Sequence, residues 1–328
     1  MTPRFDDVRA AAARLKGRIR HTPMLRHRAL DEAAGGVVLI KPEPLQITGS
    51  FKLRGATNAA LRLPPEARAR GIVTHSSGNH GQAVAAACHA LGMPALIAMP
   101  QDAPRVKVEA TRAWGAEIHF FDRHNVDRDA LAVSLAEERG ATHIPPFDHA
   151  DVIAGQGTAM LELTEDALAA GFRPDQFAIC TGGGGLLAGS ALAAKVLAPQ
   201  ARIYAVEPEG WDDYGQSLRA GHRIANDGHG AGLCDSLLSK QPGQITFAVN
   251  APRVTNGLMV TPGEVFAAMR FAFTHLKLVV EPGGAVALAA VLAGKLDTQG
   301  AVTCIILSGG NVDAGVFAEA FATGPMAA

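Results

Sequence analysis

Short apolar, largely branched runs recur along the chain: Val37–Ile40, Ile72–Thr74, Ala95–Met99, Ile118–Phe121, Phe177–Thr181, Arg202–Val206 and Val302–Leu307. Between them Ala-rich helical patterns take over, as in 83–91, 130–139 and 159–170. The last two end at Gly140 and Gly171, and a glycine just past a helix end readily takes the left-handed turn that stops it. Strand and helix patterns in alternation predict an α/β chain around a largely parallel sheet. At 328 residues the chain exceeds what one hydrophobic core usually fills, so two lobes with a cleft between them are expected. The sequence changes character near Leu63–Pro65 and at Pro145-Pro146, which predicts a large domain of residues 1–70 plus 149–328 and a small one inserted as 71–148.

Charge narrows the partners. Lys and Arg number 30 against 31 Asp and Glu, so no basic stripe is left to neutralise a phosphate backbone, and a small molecule is expected rather than nucleic acid. Glycine at 36 residues with only 5% aromatics describes helices packed against strands through small side chains. The apolar stretch 276–293 is broken by Glu281, Pro282 and two glycines, and the opening MTPRFDDVRA has no apolar signal core; a cytoplasmic protein without membrane contact is expected. Cys88, Cys180, Cys234 and Cys304 are far apart and form no CxxC spacing, which reads as four buried thiols rather than a zinc site or disulfide framework.

Two segments carry chemistry. Cys180-Thr181-Gly182-Gly183-Gly184-Gly185-Leu186 follows an apolar strand and enters a helical pattern. Consecutive glycines let backbone N–H groups turn to one side, and the helix start adds partial positive charge, so a phosphate dianion fits there. The same segment also satisfies GxGxxA through Gly183, Gly185 and Ala188, with Glu207 closing the next strand where a ribose-binding acid would sit, so a nicotinamide oxidoreductase stays open on this loop alone. The second segment is Thr48-Gly49-Ser50-Phe51-Lys52, a capping sequence that places Lys52 in the first turn of a helix. Facing the positive end of that helix lowers an ammonium's pKa, and the neutral amine is what attacks an aldehyde.

Ser50-Phe51-Lys52-Leu53-Arg54-Gly55-Ala56, Ser76-Ser77-Gly78-Asn79-His80-Gly81, the run Gly182–Gly189 and Leu307-Ser308-Gly309-Gly310-Asn311 together resemble, in order and over nearly the whole length, the serine/threonine dehydratase and serine racemase family of fold-type-II pyridoxal-phosphate enzymes. The resemblance implies a tryptophan synthase β-like fold of two domains, each a mostly parallel sheet flanked by helices. It implies that Lys52 carries pyridoxal 5'-phosphate as a Schiff base and then removes the substrate Cα proton, with Phe51 against the ring. Gly182, Gly183, Gly184, Gly185 and Leu186 would hold the phosphate, which would also protonate the leaving hydroxide. Ser308 would meet the pyridine nitrogen, where a hydroxyl leaves the ring a weaker electron sink than an Asp does. Ser76, Ser77, Asn79, His80 and Gly81 would wrap the substrate carboxylate, Asn79 also meeting the phenolic oxygen, and Ser77 would stand opposite the lysine, where the family's racemases keep a hydroxyl, a position that does not separate racemase from dehydratase.

The implied reaction is β-elimination from L-threonine or L-serine to a 2-keto acid and ammonia, with 3-hydroxyaspartate dehydration or amino-acid racemisation as alternatives. Arg128 falls where a guanidinium would pair with a second carboxylate. Glu281-Pro282-Gly283-Gly284 and Cys234-Asp235-Ser236 depart from the family's usual Glu-Pro-Ser-Gly and Ala-Asp-Gly beside the pocket, which leaves the substrate open. Glu207, the Trp211 carbonyl and Asp213 resemble the family's divalent-cation loop, with oxygen ligands suited to Mg²⁺ or Ca²⁺. A homodimer is implied as well, and the short sequence after Asn311 predicts no appended regulatory domain.

Overall fold

The structure is a computed structural model and describes residues 2–322 apart from positions 77, 104, 123, 229 and 231. Among the described residues nine strands form: β1 (Val37–Pro42), β2 (Ile72–His75), β3 (Ala95–Pro100), β4 (Glu117–Phe121), β5 (Thr142–His143), β6 (Gln176–Cys180), β7 (Arg202–Pro208), β8 (Asn256–Val260) and β9 (Val302–Leu307). They make two sheets, a five-stranded one ordered β1-β9-β6-β7-β8 and a four-stranded one ordered β4-β3-β2-β5. Every pairing within them is parallel, with Val37 opposite Val302 and Cys180 opposite Val206 in the larger sheet and Val73 opposite Leu96 in the smaller. Parallel strands need helical crossovers, which cover both faces and leave the strands buried on each side. β6 is buried throughout, and the helix Pro282–Leu292 packed against it has an almost continuous run of buried residues.

Small residues set the spacing of the helices that carry the site. A Cβ added at Gly155 would lie 2.6 Å from the Arg54 carbonyl oxygen, and one at Gly157 would lie 2.6 Å from the Gly189 carbonyl oxygen. The helix Ala150–Ala169 therefore touches backbone to backbone with Lys52–Arg62 on one side and Gly185–Leu197 on the other. Arg54, wholly buried, locks this arrangement: its guanidinium donates to both carboxylate oxygens of Glu43 and both of Glu162 at 2.8–2.9 Å. A fork of this kind between buried charges fixes geometry more than it adds stability, because desolvation offsets most of the attraction. The first turn bearing Lys52 is thereby held from below. Among the described residues no helix is long and apolar enough to cross a membrane.

Candidate active site

Both sheets contribute the loops at their strands' carboxyl ends. β2 runs into Ser76, β6 into Thr181 and the glycines, and β9 into Ser308, and these ends meet at one cavity of about 420 Å³. Crevices beyond the carboxyl ends of parallel strands are where α/β proteins bind ligands, since helix N-termini and loop N–H groups converge there. Lys52, Phe51, Ser76, Asn79 and His80 line the cavity; so do Gly182–Gly185, Leu186, Ser308 and Arg128. Gly81 does not, and a Cβ there would lie 2.7 Å from the Ser76 carbonyl oxygen, so its small size lets the helix Asn79–Ala90 pack beneath the loop. Ser77 lies outside the described residues.

Lys52 opens its helix as expected, but the Thr-Gly-Ser cap is not made. The capping position is Phe51, no side chain caps the helix, and the hydroxyls of Thr48 and Ser50 are buried without partners. Tertiary bonds hold the segment instead: Phe51 N–H donates to the Ser308 carbonyl, and Ser50 bridges Gly309. The Lys52 amine donates to the Pro146 carbonyl at 2.8 Å and stands 5.3 Å from the centre of the Phe51 ring. Loss of water around the amine lowers its pKa to about 8. Burial rather than the helix end dominates that shift.

Asn79 sits in a network that reaches across the chain. Its Nδ2 donates to Glu281 Oε1 at 2.6 Å, and its Oδ1 accepts from Asn311 Nδ2 at 2.8 Å. Burial and the nearby Asp235 push Glu281 up to about 8, so this carboxyl is largely protonated at neutral pH. His80 donates from Nε2 to the Ile144 carbonyl, burial and Lys52 keep it well below the ordinary imidazole range, and Nδ1 is left buried and unpartnered. Lys107 and Asp235, both on the cavity wall, pair at 2.6 Å. Burial opposes charge on Lys107, but Asp235, with Glu281 and Asp313 nearby, outweighs it and the pKa is raised.

Arg128, the first residue of the helix Arg128–Arg139, lines this cavity and an adjoining one of about 620 Å³. Its nearest ion-pair partner is Asp129, at 4.0 Å, and its side chain is 57% exposed, so the guanidinium's forks are open to a ligand.

Among the described residues the N–H groups of 182–186 have no acceptor in the protein, although the turn is crowded from behind. Gly184 has φ +89°, and Cβ atoms at Gly183 and Gly184 would fall 2.4 Å from the Phe147 and Tyr214 rings. Only glycine fits such a turn, and its free donors at the start of Gly185–Leu197 suit an anion of two charges. Ser308 and Cys180 stand at the ends of adjacent strands on the cavity wall, and burial pushes the Cys180 thiol up to about 11.

The acidic loop stands apart. None of Glu207, Trp211 and Asp213 lines the lysine's cavity; Trp211 borders the adjoining one. Glu207 is buried and accepts the N–H groups of Tyr214 and Gly215 at 2.8 Å through its two oxygens. Asp213 is also buried, with one oxygen unpartnered. Among the described residues no cluster of three His, Cys, Asp or Glu side chains is placed to hold a metal ion, so the expected Mg²⁺ or Ca²⁺ is not supported. Both Glu207 oxygens are turned to backbone N–H groups, and Glu207 does not reach the cavity in which the ribose of a nicotinamide cofactor would have to lie.

Lys107 and Phe147 are among the wall residues to which sequence reasoning gave no role, as are Leu238, Ser239 and Asp313. Glu281 and Asp235 lie in the two segments expected beside the pocket, but without a role of their own.

Residues 15–309 match the family described as pyridoxal-phosphate dependent enzyme. The L-threo-3-hydroxyaspartate ammonia-lyase of a Pseudomonas species is 44% identical over 314 residues, covering 94% of this chain and 95% of that one. The serine racemase of Schizosaccharomyces pombe is 40% identical, covering 95% of each. The crystal structure of a threonine deaminase from T.th. superimposes with a TM-score of 0.88 at 42% identity, covering 95% of this chain and 99% of that one.

Proposed function

The chain belongs to the pyridoxal-phosphate-dependent enzymes, and from that premise we propose that it dehydrates L-threo-3-hydroxyaspartate to a 2-keto acid and ammonia. The observation that carries the substrate is Arg128 on the wall of the cavity that holds Lys52. Serine and threonine offer that guanidinium nothing, whereas a β-carboxylate meets its fork. The relative at 44% identity bears that activity in its name, and the racemase and threonine deaminase at 40% and 42% make L-serine and L-threonine the weaker substrates to compare.

The cavity fits pyridoxal phosphate on its own terms: free N–H donors at Gly182–Leu186 for the phosphate, an amine of lowered pKa at Lys52 for the aldehyde, and the Ser308 hydroxyl for the pyridine nitrogen. When bound, the cofactor supplies an aldehyde that bonds an amine and a ring that draws electrons from the Cα–H bond. Ser76, Asn79 and the backbone N–H of His80 take the substrate's α-carboxylate, and Arg128 takes the β-carboxylate, which orients the Cα–H bond. Lys52 accepts the Cα proton, its amine aimed by the Pro146 carbonyl. The Cα–H and Cβ–O bonds break, water leaves, and the released enamine takes up water to give the keto acid and ammonia.

Assay of the purified chain with L-threo-3-hydroxyaspartate, L-serine and L-threonine, measuring keto acid, ammonia and enantiomers, gives the highest kcat/KM for hydroxyaspartate. Serine as the best substrate with D-serine as the main product would make the chain a racemase. Capture of pyridoxal 5'-phosphate by the cofactor-free chain, followed by absorbance, speeds up with pH around a midpoint near 8, because only the neutral amine attacks. A midpoint near 10.5, the ordinary lysine value, would mean that the amine is not desolvated.

A further inference from the structure

The free N–H groups of the glycine turn are aimed from behind. The Gly183 carbonyl accepts from Thr246 Oγ1 at 2.7 Å and from Gly243 N at 3.2 Å. The Gly184 carbonyl accepts from Ala188 N at 2.8 Å and from Asn250 Nδ2 at 3.3 Å. Thr246 and Asn250 are wholly buried in the helix Gln244–Asn250. A trans peptide carries its C=O and N–H on opposite edges. Fastening the carbonyl of Gly183 to this helix therefore turns the N–H of Gly184 the other way, toward the cavity, and the Gly184 carbonyl does the same for the N–H of Gly185.

The helix is itself fixed by one carboxylate. Asp148 accepts the N–H of Gln244 at 2.9 Å through Oδ2, and those of Ile245 and Thr246 at 2.8 and 3.1 Å through Oδ1. Asp148 ends the segment whose Pro146 carbonyl holds the Lys52 amine and whose Phe147 ring backs Gly183. Three consecutive residues thus locate both ends of the cavity, the lysine and the glycine turn.

We propose that Thr246, aligned by Asp148, is a positioning residue for the cofactor's phosphate: it touches no ligand, but it sets the direction of the N–H groups that do. The proposal rests on the family's cofactor and is independent of the substrate. It distinguishes ligands with a phosphate from the same ring and aldehyde without one, which a general loss of structure does not.

The test uses the full chain, purified with its cofactor, freed of it with hydroxylamine and titrated separately with pyridoxal 5'-phosphate and with pyridoxal. Thr246→Val raises Kd for pyridoxal 5'-phosphate about tenfold, the loss of one well-aligned hydrogen bond to the turn, and changes Kd for pyridoxal by less than about twofold. Thr246→Ser, which keeps the hydroxyl, stays within about threefold of the parent for both ligands. Unchanged phosphate-ligand affinity in Thr246→Val, or equal weakening of the two ligands, overturns the proposal. Should Thr246→Val not fold, Asp148→Asn is read the same way: weakening confined to the phosphate ligand supports it, and equal or absent weakening sinks it. If the unaltered chain bound both ligands equally, the phosphate role of the glycine turn would fall as well.

Discussion

Lys52→Ala lowers keto-acid formation at least ~10²-fold, the low end for loss of a positioned general base, and leaves borohydride no site at which to fix the cofactor. Among the described residues two lysines reach the cavity, and their environments separate them. Around Lys52 the loss of water lowers the pKa to about 8, while Lys107, paired with Asp235 at 2.6 Å, is raised. At pH 7 roughly a tenth of Lys52 amines are neutral, against fewer than about one in a thousand for an ordinary lysine, so attack on an aldehyde falls to Lys52. Peptide mapping of borohydride-treated enzyme places the tag at position 52 in the parent and nowhere in the variant. A tag on Lys107, or turnover that survives Lys52→Ala, would reassign the base.

The parts of this site that were legible in the sequence are those that local backbone needs dictate. Consecutive glycines at 182–185 and a lysine at the start of a helical pattern announce themselves within a few residues, because the turn and the helix end are themselves local. The Asn79–Glu281 and Lys107–Asp235 pairs join residues 202 and 128 positions apart, and no local pattern encodes such a meeting. Two strands also escaped notice for physical reasons. β5 has only two residues, and β8 lies at the sheet edge with mostly exposed or half-exposed residues, so neither shows the apolar run of a buried strand. The helix Ala150–Ala169 begins well before Ala159, where the sequence pattern starts it. Gly155 and Gly157 hid that start, since a glycine in a helix reads as a break, whereas here each admits a neighbouring backbone.

For Arg128→Ala the expected loss falls on one substrate. Its side chain is about half exposed, so water screens part of what a buried fork would give, and kcat/KM for L-threo-3-hydroxyaspartate falls ~10- to 100-fold. L-serine, with no second carboxylate to lose, falls several-fold less, and the ratio between the two substrates is the quantity that reports the contact. Arg128→Lys keeps the charge without the fork and recovers only part of the ratio, because a single ammonium cannot meet both carboxylate oxygens in plane. Parallel losses on both substrates would instead place Arg128 in general support of the cavity, through Asp129 and the His75 ring that Asp129 holds at 2.8 Å. In that outcome the dicarboxylic substrate loses its anchor on this wall, and serine or threonine becomes the better reading of the cavity.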